Sequence, residues 1–142
     1  MNNLLLIDNS IKGGIAQAKA EIRALEKGFI ISKPIIEGTR YDMILDDGEK
    51  LSRVQVKYAG GKQTSSNGCV VVDFRKTSNN GKVKEGYSSK EVDVIIVYIP
   101  QVDKLCWFPT KLLEGKTTLT IRYEKAKNNQ TKNVILVDDY IW

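Results

Sequence analysis

A carboxylate, further oxygen donors beside it and a nearby cation are the groups with which a chain can hold a hard divalent ion and act on its bound water. Asp42, Gln55 and Lys57 supply these types within sixteen residues, and the intervening sequence brings them together. Leu51-Ser52-Arg53-Val54-Gln55-Val56-Lys57-Tyr58 alternates polar and apolar residues as a strand does, so Gln55 and Lys57 project from one face and Val54 and Val56 from the other. Arg40-Tyr41-Asp42-Met43-Ile44-Leu45 reads as the partner strand, joined through the turn signal Asp46-Asp47-Gly48-Glu49. If Asp47-Gly48 closes the hairpin, Asp42 pairs opposite Arg53. Parity then places Asp42, Arg53, Gln55 and Lys57 on one face, with Asp42 and Gln55 diagonal neighbours roughly 7–8 Å apart between backbones.

On that face Asp42 supplies charge, Gln55 an amide oxygen and Val56 a main-chain carbonyl, while Lys57 orients and helps to deprotonate a water acidified by the metal. Spacing does not decide the matter, because Asp followed later by Gln-x-Lys also occurs on the solvent face of ordinary hairpins. Composition narrows the alternatives. The chain has no histidine, which removes Ser-His-Asp triads, two-histidine metal motifs and histidine general bases. Its two cysteines, Cys69 and Cys106, sit in apolar runs and read as buried thiols, not as a disulfide framework.

The 142 residues make one domain, 1–142, with 42% hydrophobic and 27% charged residues, the profile of a soluble globular protein. No apolar run approaches the ~20 residues of a membrane span. The N-terminal Met1 to Asp8 lacks a basic start and a secretory core, so a cytoplasmic location is expected. Lysine and arginine number 22 against 17 acidic residues, giving +5, and the excess is concentrated. Residues 75–90 hold five basic residues and one acidic one among Gly, Ser and Asn. That segment either tracks a polyanion or is a solvated loop.

The elements that must position the face follow from periodicity. Ile11, Ile15, Ala18, Ile22 and Leu25 fall at helical spacing, with Ser10 as the cap and Gly28 as the stop, and predict one amphipathic helix packed by that stripe. Strands are expected at Phe29 to Lys33, at the hairpin, at Cys69 to Phe74, at Val92 to Ile99 and, as its hairpin partner, at Lys104 to Phe108. A short helical turn at Thr110 to Glu114, a strand at Thr117 to Tyr123 and a polar loop at 125–133 complete the chain. The nearly continuous apolarity of the Val92 to Ile99 strand suggests a central position, buried on both sides. The fold class is α/β (α+β) with a mixed central sheet.

Several short segments follow one another in a particular order and spacing over roughly residues 10 to 123. They are Gly13-Gly14-Ile15-Ala16-Gln17-Ala18-Lys19, Lys27-Gly28-Phe29, Arg40-Tyr41-Asp42-Met43-Ile44-Leu45 and Val54-Gln55-Val56-Lys57, then Glu85-Gly86-Tyr87 and Val92-Asp93 leading into Ile96-Val97-Tyr98-Ile99-Pro100. In order and spacing the chain resembles the PD-(D/E)-x-K nuclease superfamily, and more narrowly its group I intron-associated homing endonucleases. The resemblance implies a mixed sheet flanked by helices, a restriction-endonuclease-like core, Mg2+ and DNA cleavage. Carried over, Asp42 is the metal carboxylate, Gln55 the second-motif ligand and Lys57 the catalytic lysine. Tyr41 stands where the motif name has proline. The family pattern Gly-(Asp/Glu)-Ile-Ala-Glu-Ala-Lys supplies a further metal-holding glutamate from the helix, and here that place is taken by Gln17. The neutral amide lowers the expected metal affinity and weakens catalysis. Glu21, one turn on, either compensates or is an exposed helix residue.

Around this centre Arg40, Arg53, Lys62, Lys76, Lys82, Lys84 and Lys90 are expected to meet the DNA backbone. Gln63, Ser78, Asn79 and Asn80 could reach base edges or simply favour turns. The partner is double-stranded or branched DNA. The primary reading is a homing endonuclease, with two alternatives: a Holliday junction resolvase of the same superfamily, and a DNA-binding module in which Gln17 reflects lost catalysis. Cutting two strands requires two centres, so a homo-oligomer, dimer or tetramer, is expected.

Overall fold

The computed structural model of the chain describes residues 8–60, 68–75, 86–125 and 135–142. It begins with helix α1, Asn9–Glu26, which is capped by Asp8 and not by Ser10: the Asp8 carboxylate accepts from the Ile11 backbone N–H at 2.9 Å. The helix ends at the expected stop, where Gly28 takes a φ of 86° that a side chain would strain.

The expected strands follow in order: β1 (Ile30–Ser32), β2 (Met43–Asp46), β3 (Leu51–Tyr58), β4 (Cys69–Asp73), β5 (Val94–Ile99), β6 (Lys104–Pro109) and β7 (Thr118–Arg122), with a 3-10 turn at Thr110–Leu113; a further short strand, β8 (Ile135–Leu136), was not expected. They form two sheets where one was expected. The five-stranded sheet runs β1-β2-β3-β5-β6 and is mixed, because β3 and β5 pair in parallel while its other pairs are antiparallel. The three-stranded sheet β4-β7-β8 is separate, which moves Cys69–Asp73 out of the central sheet. All six residues of β5 are buried, as expected for a strand covered on both faces. The architecture is a mixed α+β domain, the class expected. The expected plural flanking helices are α1 on one face and, among the described residues, the small sheet on the other.

The two cores divide by strand parity. Ala16, Ala20 and Ala24 of α1 lie on Met43, Leu45, Val54, Val56, Val94 and Ile96. Ile95, Val97 and Ile99, from the other face of β5, meet Val70, Val72, Phe74, Leu119 and Ile121 of the small sheet. The buried stripe of α1 is therefore alanine, and Ile11, Ile22 and Leu25, expected to pack, are exposed. Side chains without a γ-carbon let the helix axis come close to a sheet whose own residues are large, and a second layer of isoleucine would overfill that space.

Cys69 and Cys106 are both buried and free, and burial pushes the Cys106 thiol up to about 11. Among the described residues no helix is long and apolar enough to cross a membrane. The polar loop expected at 125–133 lies almost wholly outside the described residues.

Because Ala20 is fully buried against the sheet, Ala20→Leu is expected to lower unfolding stability by about 1–3 kcal/mol through overpacking. A fall in the urea midpoint with an unchanged denaturant slope would show it; an unmoved midpoint would mean that the interface has room.

Candidate active site

The hairpin β2–β3 closes through four loop residues, Asp47 to Lys50, with Asp46 opposite Leu51 as the last pair. Its carboxylates do the work of the turn. Asp46 accepts from Gly48 N–H at 2.8 Å, and Asp47 accepts from Glu49 and Lys50 N–H at 2.9 and 2.7 Å. These bonds also hold the Asp47 carboxyl below its usual range, those from Glu49 and Lys50 first. The expected two-residue closure would have set Asp42 opposite Arg53. The register observed, Met43 with Val54 and Ile44 with Arg53, brings Asp42 level with Gln55 instead. A shift of two preserves parity, so Asp42, Gln55 and Lys57 still share a face.

Asp42 lies just before β2. Its N–H donates to Val54 O at 2.8 Å, and its carboxylate accepts from Val56 N–H at 2.8 Å. The carboxylate thus takes the backbone donor that a longer β2 would have satisfied. Gln55 lies over the same peptide, its amide N–H donating to Val56 O at 3.4 Å. A carboxylate, a main-chain carbonyl and a carboxamide are gathered here around one residue of β3. All offer hard oxygen, and with a single formal charge they fit a divalent cation that keeps much of its water. Among the described residues no three His, Cys, Asp or Glu side chains group as a metal site.

Lys57 is held from beyond the strand. Its ammonium stands 5.1 Å from the centroid of the Tyr87 ring, and the Arg40 guanidinium carbon stands 4.6 Å from the same centroid. Tyr87 is buried, and its position depends on Gly86, where a Cβ would come within 2.4 Å of the Lys116 carbonyl oxygen. Lys57 also adds to the lowering of the Asp73 carboxyl, whose main cause is the Arg75 guanidinium.

The other expected site residues are placed differently. Gln17 lies on the flank of α1 and donates to Glu21 at 3.3 Å, and the Glu21 carboxylate is in turn ion-paired with Lys33. Arg53 is engaged inside the chain: its guanidinium bonds the Asp93 carboxylate at 3.0 and 3.1 Å and the Lys90 carbonyl at 2.8 Å, while its own N–H donates to Asp93. Arg40 pairs with Glu91 beside Tyr87. Lys90 is exposed. Lys62, Lys76, Lys82 and Lys84, with Gln63, Ser78, Asn79 and Asn80, lie outside the described residues. Sequence reasoning gave no role to Asp93 or Tyr87. The signal for Asp93 was a charge at the head of an otherwise apolar strand, and for Tyr87 a Gly-Tyr pair within a polar basic segment.

The sequence profile described as PD-(D/E)XK endonuclease matches residues 7–142. The solved structure of I-Ssp6803I, a bacterial homing endonuclease, superposes with a TM-score of 0.74 at 26% identity, covering 94% of this chain and 88% of that one. The structure of MepB matches at 15% identity with a TM-score of 0.42, over 82% of this chain and 86% of that one. No curated protein matches the chain.

The Arg53–Asp93 bond ties β3 to the segment that carries Tyr87. The Asp93 carboxyl is held below its usual range, first by the bonds from Arg53 and against a smaller opposing effect of burial. A lowered folded value stabilises above the unfolded aspartate value near 3.9, and the gain is lost as pH falls through the lowered value. Asp93→Asn is therefore expected to cost about 1–3 kcal/mol at neutral pH and to flatten the loss of stability below about pH 4. Denaturant unfolding across pH measures it, and an acid limb like that of the unaltered chain would refute it.

Proposed function

This chain belongs to the PD-(D/E)XK endonuclease family, and from that premise we propose that it is a magnesium-dependent, site-specific endonuclease of duplex DNA. The observation that carries the reading is the gathering of the Asp42 carboxylate and the Gln55 amide on the two polar groups of Val56, with Lys57 two residues along the same face. The likeness to a bacterial homing endonuclease over most of both chains supports the same class.

Asp42, the Val56 carbonyl and the Gln55 amide oxygen would hold the metal, with Gln17 in the place of the family's helix glutamate. Nucleases of this family generally use divalent metals; bound here, Mg2+ would offset charge on the scissile phosphate and acidify the attacking water. Gln55 presents its oxygen after a turn of the amide, which exchanges its bond to Val56 O for a ligand position. Lys57, steadied over Tyr87, holds a positive charge beside the reacting phosphate and orients the water. The +5 net charge and the exposed Lys90 favour a polyanionic partner. Cleavage of both strands calls for two such centres and hence a homo-oligomer. Buried, free Cys69 and Cys106 suit a reducing, cytoplasmic setting.

Lys57→Ala is expected to reduce magnesium-dependent cutting by about 10²–10⁴-fold while leaving DNA affinity nearly unchanged, measured by single-turnover cleavage and by titration of labelled duplex. Cutting at the unaltered rate would overturn the assignment. Tyr87→Leu is expected to slow the chemical step about tenfold, and Tyr87→Phe, which keeps the ring, to restore it.

Gln17→Glu adds a negative charge on the helix and is expected to lower the magnesium concentration needed for half-maximal cutting. An unaltered chain and a Gln17→Glu variant both inactive on duplex at high magnesium would leave a DNA-binding module. Preference for a synthetic four-way junction over linear duplex would replace the site-specific reading with a junction resolvase.

A further inference from the structure

Helix α1 has two apolar faces and only one covering. Its alanines at 16, 20 and 24 are buried in the sheet, while Ile22 lies two residues, about 200° around the helix, from both Ala20 and Ala24. Ile11, Ile22 and Leu25 on that outer side are 50%, 57% and 63% exposed. With the exposed Ala18, and with Ile15, which is half-buried against the edge of the helix–sheet core, they are spaced four, three, four, three along the chain, the seam spacing of a helix that pairs with another helix. A surface helix ordinarily carries polar residues opposite its buried stripe, so this face calls for a covering.

We propose that α1 pairs antiparallel with α1 of a second copy of this chain. Charge selects that occupant. Lys12, Lys19 and Glu26 recur every seven residues along one border of the seam. When two copies run antiparallel, this border meets itself, so Lys12 of each copy faces Glu26 of the other. Lys19 then falls at the centre, where its ammonium is already held by Asp103 of its own chain at 2.9 Å. Within one copy Lys12 and Glu26 sit at the wrong ends for the helix dipole, a cation near the N-terminus and an anion at the C-terminus. Glu26 already has Arg23 of its own helix at 3.6 Å; pairing with the opposite end of a second helix gives it a second cation and gives Lys12 an anion. Ala18 at the middle of the seam lets the two backbones approach, and a groove of about 390 Å³ between α1 and Tyr98 and Leu105 offers a recess beside it.

This inference builds on the homo-oligomer of the proposed function but needs no cleavage to test. Sedimentation equilibrium of the full chain is expected to give at least a dimer, and Ile22→Glu, a change at an exposed position, to reduce the mass to a monomer with an unchanged circular dichroism spectrum. Lys12→Glu and Glu26→Lys are each expected to weaken association roughly tenfold, since every single change makes two like-charge contacts per dimer. The double variant restores both pairs and should recover the original affinity. A monomeric unaltered chain, an Ile22→Glu chain of unchanged mass, or a double variant no tighter than the singles would overturn the antiparallel pairing. A chain that dimerises in this way and fails to cut DNA would overturn the nuclease reading alone.

Discussion

A buried backbone amide must find an acceptor, and at Val56 that requirement shapes the site. The pairing of β2 with β3 stops at Met43 and Val54, so the Val56 N–H looks outward to a strand that has ended. The Asp42 carboxylate accepts its bond, and with its own N–H on Val54 O the residue is fastened twice to β3. A carboxylate tied in this manner stands at a defined place at the end of a sheet. The carbonyl of the same peptide and the amide of the preceding side chain become its neighbours. Strand β3 is in turn fixed by its parallel pairing with the wholly buried β5.

The polar face of β3 would be costly in an apolar interior without partners, and the segment before β5 supplies them. Asp93 receives Arg53 through both guanidinium and backbone, and Tyr87 gives the ammonium of Lys57 an aromatic surface. Gly86 permits this, because the main chain there passes against the Lys116 carbonyl too closely for a side chain. The bonds that steady the lysine thus come from a segment distant in sequence, and Arg53 serves the site by holding that segment in place.

Helix α1 obeys a different constraint. Close approach to a sheet of large side chains selects alanine for its inner face, and the isoleucines and leucine are displaced to the outside. Its flank toward Gln17 and Glu21 carries a neutral amide beside a carboxylate already paired with Lys33.

Much of the architecture was legible in the chain itself. Period-two alternation located β3, the turn signal before it located β2, a β-branched run located β5 with β6 as its hairpin partner, and parity put Asp42, Gln55 and Lys57 on one face, because a side chain's face depends only on counting along a strand. Parity also survived the misjudged turn, since the loop closed by Asp46 and Asp47 is longer by a whole two-residue repeat. Other features were not readable from local pattern. Which of two apolar stripes on α1 is buried depends on the depth of the surface it meets, and whether Arg53 faces a phosphate or Asp93 depends on a segment forty residues away. Likewise, a strand's sequence does not say to which sheet it belongs, so β4 was placed in the wrong one. Sequence determined the faces and their chemistry, for these follow from backbone geometry. Tertiary structure alone decided partners and covering, because those depend on which distant surfaces meet.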